Sequence, residues 1–171
     1  MAVDPAGRAR DLALRILAGA PKSSAALKEA LMSREVDEKI IDEVIARYRD
    51  VGLLDDAALS AAIARARHRD RARSRRAIGI ELRRKGFGEG DIAAALGEIS
   101  DEEELRTARA FAQRRWDATR GMPDEIRSRR VAGALGRRGY PPGMAIALVS
   151  DLKRADIWDN PQGEAARFEE E

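Results

Sequence analysis

RSRRAIGIELRRKGF, residues 73–87, and RSRRVAGALGRRGY, residues 127–140, are two copies of one segment. Each opens on a serine between arginines, carries two apolar residues four positions apart, and closes on basic residues, a glycine and an aromatic ring. A spacing of four puts Ile78 and Leu82, or Val131 and Leu135, on one side of a helix, and a glycine followed by a large apolar residue is a common helix ending. The same frame lies upstream with weaker identity. Leu27, Leu31 and Val36 align with Ile78, Leu82 and Phe87, and these with Val131, Leu135 and Tyr140, in steps of 51 and 53 residues. Repetition at this period predicts tandem helical units whose cores are completed by their neighbours.

Helix punctuation fills in each unit. In the first, residues 8–19 carry Leu12, Ile16 and Leu17, a second helix follows Ser23 or Ser24, and a third follows Asp37, bears Ile41, Val44, Ile45 and Tyr48, and stops at Gly52. In the second, Asp55 or Asp56 caps a helix to about Asp70, another runs from Ser74 to Lys85 with Gly86 behind it, and a third spans Glu89–Glu98. In the third, Asp101 caps a long helix with Leu105, Phe111 and Trp116, Asp124 or Ser128 starts the next, Gly139 ends it, and Pro141-Pro142 opens the last. The expected architecture is all-α: three tandem three-helix units, 8–54, 55–99 and 101–153, forming an elongated, curved helical-repeat molecule. An acidic flexible tail, 155–171, follows.

Composition points the same way. Only 4% of the 171 residues are aromatic while 44% are hydrophobic, much of that alanine, so the core is thin and suits helices better than a sandwich. Long alternating Val/Ile/Thr runs are absent, which argues against strands. There is no cysteine, no apolar signal core in MAVDPAGRARD and no continuous apolar run of membrane-spanning length. A soluble, cytoplasmic monomer is expected.

The net charge of +2 hides a segregation along the chain. Residues 23–56 carry five basic and nine acidic side chains, 65–85 ten and two, 89–105 none and seven, and 106–138 ten and three. The most basic stretch is RARHRDRARSRR, residues 65–76. If a helix ends near Asp70 and a new one is capped by Ser74, Arg75 and Arg76 fall in a first turn, where the helix macrodipole disfavours cations by about 0.3–1 kcal/mol each. A helix starting at Ser128 would put Arg129 and Arg130 in the same position. A helix N-terminus dressed with arginine suits a phosphate or a carboxylate. Arg65, Arg67, Arg69, Arg71, Arg73, Arg75, Arg76, Arg127, Arg129 and Arg130 are therefore the candidate partner-binding residues. Arg83, Arg84, Lys85, Arg137 and Arg138 sit in last turns, where the dipole favours them. The opposing view makes the arginine faces solvated surfaces, paired within the chain to acidic blocks such as Asp101–Glu104.

Catalytic and cofactor chemistry finds little support. His68 is the only histidine, which leaves no second imidazole for a metal cluster or a Ser/His/Asp site, and no glycine-rich phosphate loop is present. Phe87, Phe111, Trp116 and Tyr140 sit at apolar helical positions or directly behind a helix end, and are assigned to the core rather than to base stacking. Neither an enzyme nor a cofactor is expected.

Three segments carry a resemblance: VIARYRDVGLLDD at 44–56, ARHR with the following RSRRAIGIELRRKGF at 66–87, and RSRRVAGALGRRGYPPGMA at 127–145. Together they resemble the RecX family of bacterial recombinase regulators, over about residues 10–152 and most strongly in the middle unit. The resemblance implies a non-enzymatic negative modulator of RecA: a bent, all-helical molecule lying along the groove of the RecA filament on DNA. There it would limit filament growth, and with it strand exchange, ATP hydrolysis and stimulated repressor cleavage, within DNA repair, recombination and the SOS response. The competing expectations are a helix-turn-helix-like module that binds single- or double-stranded DNA without RecA, and a helical scaffold for an acidic protein.

Overall fold

The computed structural model describes residues 4–159. These residues form nine α-helices with no strand among them. The first three are α1 (Pro5–Gly19), α2 (Ser24–Met32) and α3 (Glu38–Asp50), followed by α4 (Asp56–Arg71), α5 (Arg75–Arg84) and α6 (Glu89–Gly97), then α7 (Asp101–Asp117), α8 (Asp124–Arg137) and α9 (Pro142–Asp159). The all-α expectation is met.

The chain divides into two compact units. The first comprises the described residues of Met1–Ala66 with Ile78–Ile99, the second those of Arg67–Ala77 with Ser100–Glu171. The first unit holds two apolar clusters. Ala9 and Ala13 of α1, Leu27 and Leu31 of α2, Ile41, Val44, Ile45 and Tyr48 of α3, and Leu54 make one. Ala64 of α4, Ile78 and Leu82 of α5, Phe87, Ile92 and Ala95 of α6, and Ile99 make the other. The second unit has a single cluster built from α7, α8 and α9 around Phe111, Trp116, Val131, Leu135 and Leu148, and joined by Ala72. In each cluster an alanine is fully buried, which lets helices approach closely where aromatic volume is scarce.

The repeat read from the sequence is a repeat of helix endings. Val36, Phe87 and Tyr140 each donate their backbone N–H back to Leu31, Leu82 and Leu135, at 3.3, 3.2 and 3.2 Å. The residue before each donor is left-handed: Glu35 at φ 60°, Gly86 at 82° and Gly139 at 90°. This is the Schellman closure, in which the left-handed residue turns the chain so that the next apolar side chain covers the helix end. Phe87 and Tyr140 are accordingly buried. Two of the three copies use glycine because a side chain in that conformation costs about 1–2 kcal/mol.

Glycine serves a second purpose at two of these endings. Ser23 caps α2 by accepting the Ala26 N–H at 3.1 Å, and its hydroxyl donates to the Lys85 carbonyl at 2.6 Å, so a Cβ on Gly86 would come 3.1 Å from that hydroxyl. Within the second unit Ser74 caps α5 by accepting the Ala77 N–H at 3.1 Å, and its own N–H donates to the Arg138 carbonyl at 3.0 Å. A Cβ on Gly139 would lie 2.5 Å from both the Ser74 Oγ and the Ala77 Cβ. One junction therefore occurs twice: the capping serine of one repeat's middle helix meets the glycine ending of the next repeat's middle helix.

Several expected boundaries move. α1 begins at Pro5, whose missing N–H suits a first helical position. Leu12, Ile16 and Leu17 are only partly buried, while Ala9 and Ala13 supply the α1 seam. The cap of α7 is Ser100 in a full capping box with Glu103, so Asp101 is its first helical residue, and Leu105 is exposed. α8 starts at Asp124, which places Ser128 and the two arginines after it beyond the first turn. α9 continues to Asp159, so the first residues of the expected tail are helical. The remainder of that tail, 160–171, lies outside the described residues.

Candidate functional site

The arginine-rich stretch is an elbow between α4 and α5. Its breaking residue is Ala72, a non-glycine at φ 48° that is buried in the same cluster as Phe111. The Arg73 N–H closes the α4 end onto the Arg67 carbonyl at 3.2 Å. His68 braces the turn: its Nδ1 lies 3.0 Å from the Arg73 carbonyl and its Nε2 3.0 Å from Thr107 Oγ1 on α7. A carbonyl can only accept, so Nδ1 carries the hydrogen, and the lone histidine acts as a backbone clamp.

Arg75 does occupy the first turn of α5, and the anion expected there is present as Glu104. Glu104 accepts the Arg75 backbone N–H at 2.7 Å and its Nε–H at 2.9 Å, while Asp101 accepts from the other side of the guanidinium. The hydrogen bond to Asp101, then that to Glu104, holds Arg75 above the ordinary arginine range. The acidic block after Ser100 is thus an internal partner of the basic block, as the opposing view held for this arginine.

Arg127 is also committed internally. It sits in the first turn of α8 with 8% of its side chain exposed, its guanidinium 3.8 Å from the centroid of Trp116. It donates to Asp156 Oδ2 at 2.6 Å, and the Trp116 indole N–H donates to that same oxygen at 2.7 Å. The second RSRR is therefore not a second helix start. Its first arginine is a core strut, and its serine hydroxyl returns to the Asp124 carbonyl at 2.6 Å.

The other candidates are distributed as follows. Arg65, in the first unit, pairs with Glu98 at 2.7 Å, and both are exposed. Arg69 pairs with its neighbour Asp70 at 3.0 Å and is also exposed. Arg71, Arg76, Arg129 and Arg130 are exposed, while Arg67 and Arg73 are half-buried. Exposed ion pairs of this kind stabilise by about 0–1 kcal/mol, so Arg65 and Arg69 stay available to a stronger anionic partner.

Two arginines of this region are absent from the sequence-derived set. Arg115 and Arg138 place their guanidinium carbons 5.5 and 4.7 Å from the centroid of the Phe111 ring. Burial, then the charges of Arg115, Arg73 and Arg71, push Arg138 below the ordinary arginine range. The Phe111–Arg115 spacing of four was visible in the sequence. Arg138 looked like a dipole-stabilised last-turn residue, and only the Ser74–Arg138 backbone bond brings it to the elbow.

Among the described residues no helix is long and apolar enough to cross a membrane, and no group of three or more His, Asp or Glu side chains could hold a metal. The descriptions of the first and third RecX three-helix domains match residues 9–47 and 101–147. Regulatory protein RecX of Thermobifida fusca is 42% identical over 87% of this chain and 80% of its own length, and that of Streptomyces coelicolor 42% over 85% and 78%. The crystal structure of RecX from Lactobacillus salivarius superimposes with a TM-score of 0.75 at 17% identity, covering 88% of this chain and 97% of that one, a likeness of fold. A second crystal structure, of a regulatory protein RecX, gives 0.70 at 23%, covering 86% and 72%. With two of its helical units matched and relatives this similar along most of its length, the chain belongs to the RecX family of regulatory proteins.

Proposed function

We propose that this protein is a negative modulator of RecA that binds along the groove of the RecA–DNA filament and limits filament growth, recombinase and coprotease activities. The observation that carries the reading is the 42% identity to regulatory RecX proteins over most of the chain. A binding protein rather than an enzyme is consistent with the site chemistry, since the single histidine is engaged with a carbonyl and a threonine hydroxyl. The contact set is Arg65, Arg67, Arg69, Arg71, Arg73, Arg76, Arg129 and Arg130. Arg75 and Arg127 support it by holding the elbow and α8. Several weak charged contacts on successive filament subunits add to a strong attachment without a deep pocket. The protein acts in the cytoplasm as a monomer.

Light scattering of RecA filaments growing on single-stranded DNA tests this. Substoichiometric protein is expected to slow the rise of the signal, and an unchanged rise at every ratio would remove the reading.

A DNA-binding module independent of RecA is the second reading, favoured by the arginines collected at Phe111. It predicts tight, strongly salt-dependent DNA binding without RecA and no effect on filaments beyond competition for DNA.

A further inference from the structure

We infer that Arg115 and Arg138, which lie over the Phe111 ring, form with Arg71 of the adjoining elbow a seat for the phosphodiester backbone of single-stranded DNA. The inference rests on the filament reading and specifies which part of the contact surface meets nucleic acid rather than protein.

The elbow brings these side chains together. Ala72, between Arg71 and Arg73, is buried in the cluster that contains Phe111, and the Ser74 N–H donates to the Arg138 carbonyl at 3.0 Å. The elbow is thereby fastened to the end of α8, beside the α7 face that bears Phe111 and Arg115. Arg115 and Arg138 both lie over the Phe111 ring. A guanidinium lying on a ring face is held by its π-face, which leaves the N–H edges directed away from the ring. Those edges are the groups that recognise a phosphate in the guanidinium plane.

Charge balance gives the second step. Among the described residues, no carboxylate lies within 4.0 Å of Arg71, Arg115 or Arg138, whereas Arg75 and Arg127 nearby are each matched by two. The unit thus neutralises some arginines and leaves Arg71, Arg115 and Arg138 without a carboxylate at that distance; burial first, then the charges of the neighbouring arginines, lowers the pKa of Arg138. Such a cluster is relieved by a partner with several closely spaced negative charges. A nucleic acid strand has one charge per roughly 3.4 Å of rise, more than isolated carboxylates on a protein surface supply.

The test is the anisotropy of a fluorescent oligothymidylate titrated with full-length protein at several salt concentrations, without RecA. Arg71→Gln and Arg115→Gln remove exposed side chains, and an Arg120→Gln/Arg154→Gln pair, exposed on the same unit and outside the contact set, is the control. Each single variant is expected to flatten the plot of log K against log salt by about 0.7 and to weaken binding roughly ten-fold, the loss of one charge-assisted hydrogen bond. Unchanged slopes in both variants would overturn the inference, as would an equal loss in the control pair. If the two variants lose their effect on RecA filaments while their DNA slopes stay at the wild-type value, the cluster grips RecA carboxylates and the inference fails while the filament reading stands.

Discussion

Arg127 and Trp116 form a stacked pair 3.8 Å apart, and both donate to one carboxylate oxygen of Asp156. This tie joins α7, α8 and α9 and places an arginine of the repeated RSRR in the interior of the second unit. Removing one member of a buried charged group leaves the rest uncompensated. Arg127→Ala is expected to cost about 3–5 kcal/mol, a fall in Tm of about 10 °C or more for a chain of this size. Asp156→Asn keeps a hydrogen-bonding oxygen but takes the nearest negative charge from a guanidinium only 8% exposed, and costs about 1.5–3 kcal/mol. Urea unfolding followed by tryptophan fluorescence measures both.

The Ser74–Gly139 junction gives a sharper contrast between two glycines of one segment. Gly139 is left-handed, and its added Cβ would meet Ser74 and Ala77 at 2.5 Å. Gly139→Ala is expected to destabilise by about 2–4 kcal/mol, from the backbone conformation and overpacking together. Gly136, in the last turn of α8, has nothing within 4 Å of a built Cβ. Gly136→Ala raises stability by up to about 1 kcal/mol because alanine favours the helix. Thermal denaturation of the two variants beside wild type decides it.

Tyr140 supplies a pH test. Its hydroxyl is buried with no hydrogen-bond partner among the described residues, and burial first, then the Glu104 charge, pushes it up to about 12. A phenol whose pKa is raised on folding holds its proton more tightly in the native state. Its contribution is complete below pH 10, the ordinary tyrosine value, and is lost as pH rises towards 12. Near pH 11 wild type is expected to have lost about 1.4 kcal/mol relative to Tyr140→Phe, one pKa unit's worth. At pH 7 the substitution is neutral or slightly stabilising, since it removes an unpaired buried hydroxyl. Urea midpoints of both proteins from pH 7 to 11 give the difference directly.

The helix endings were legible because their chemistry is local. A glycine in the left-handed region, an apolar residue behind it and a serine or aspartate ahead of the next helix act within a few residues, so Ser23, Asp37, Gly52, Gly86 and Gly139 could be placed without tertiary information. The first copy was weaker in the sequence because Glu35 stands where the other two have glycine, with the same φ sign. Arginine roles were less legible because they depend on what folding brings near. Two RSRR tetrapeptides diverge once α8 starts at Asp124 and shifts its copy beyond the first turn. One serine then caps a helix, while its counterpart bonds back to the preceding turn. Glu104, Asp156 and Phe111 decide which arginines are struts and which face outward, and each lies 27 or more residues from the arginine it governs, Arg115 excepted.

The most direct measurement is RecA's DNA-dependent ATP hydrolysis, titrated with substoichiometric wild-type protein and with an Arg71→Glu/Arg76→Glu variant at two exposed elbow positions. Wild type is expected to inhibit at ratios well below one per RecA protomer, and the variant to fold with the same Tm yet need roughly ten-fold more protein for the same inhibition. Undiminished hydrolysis at every ratio of wild type, or equal inhibition by the charge-reversed variant, would contradict the filament reading.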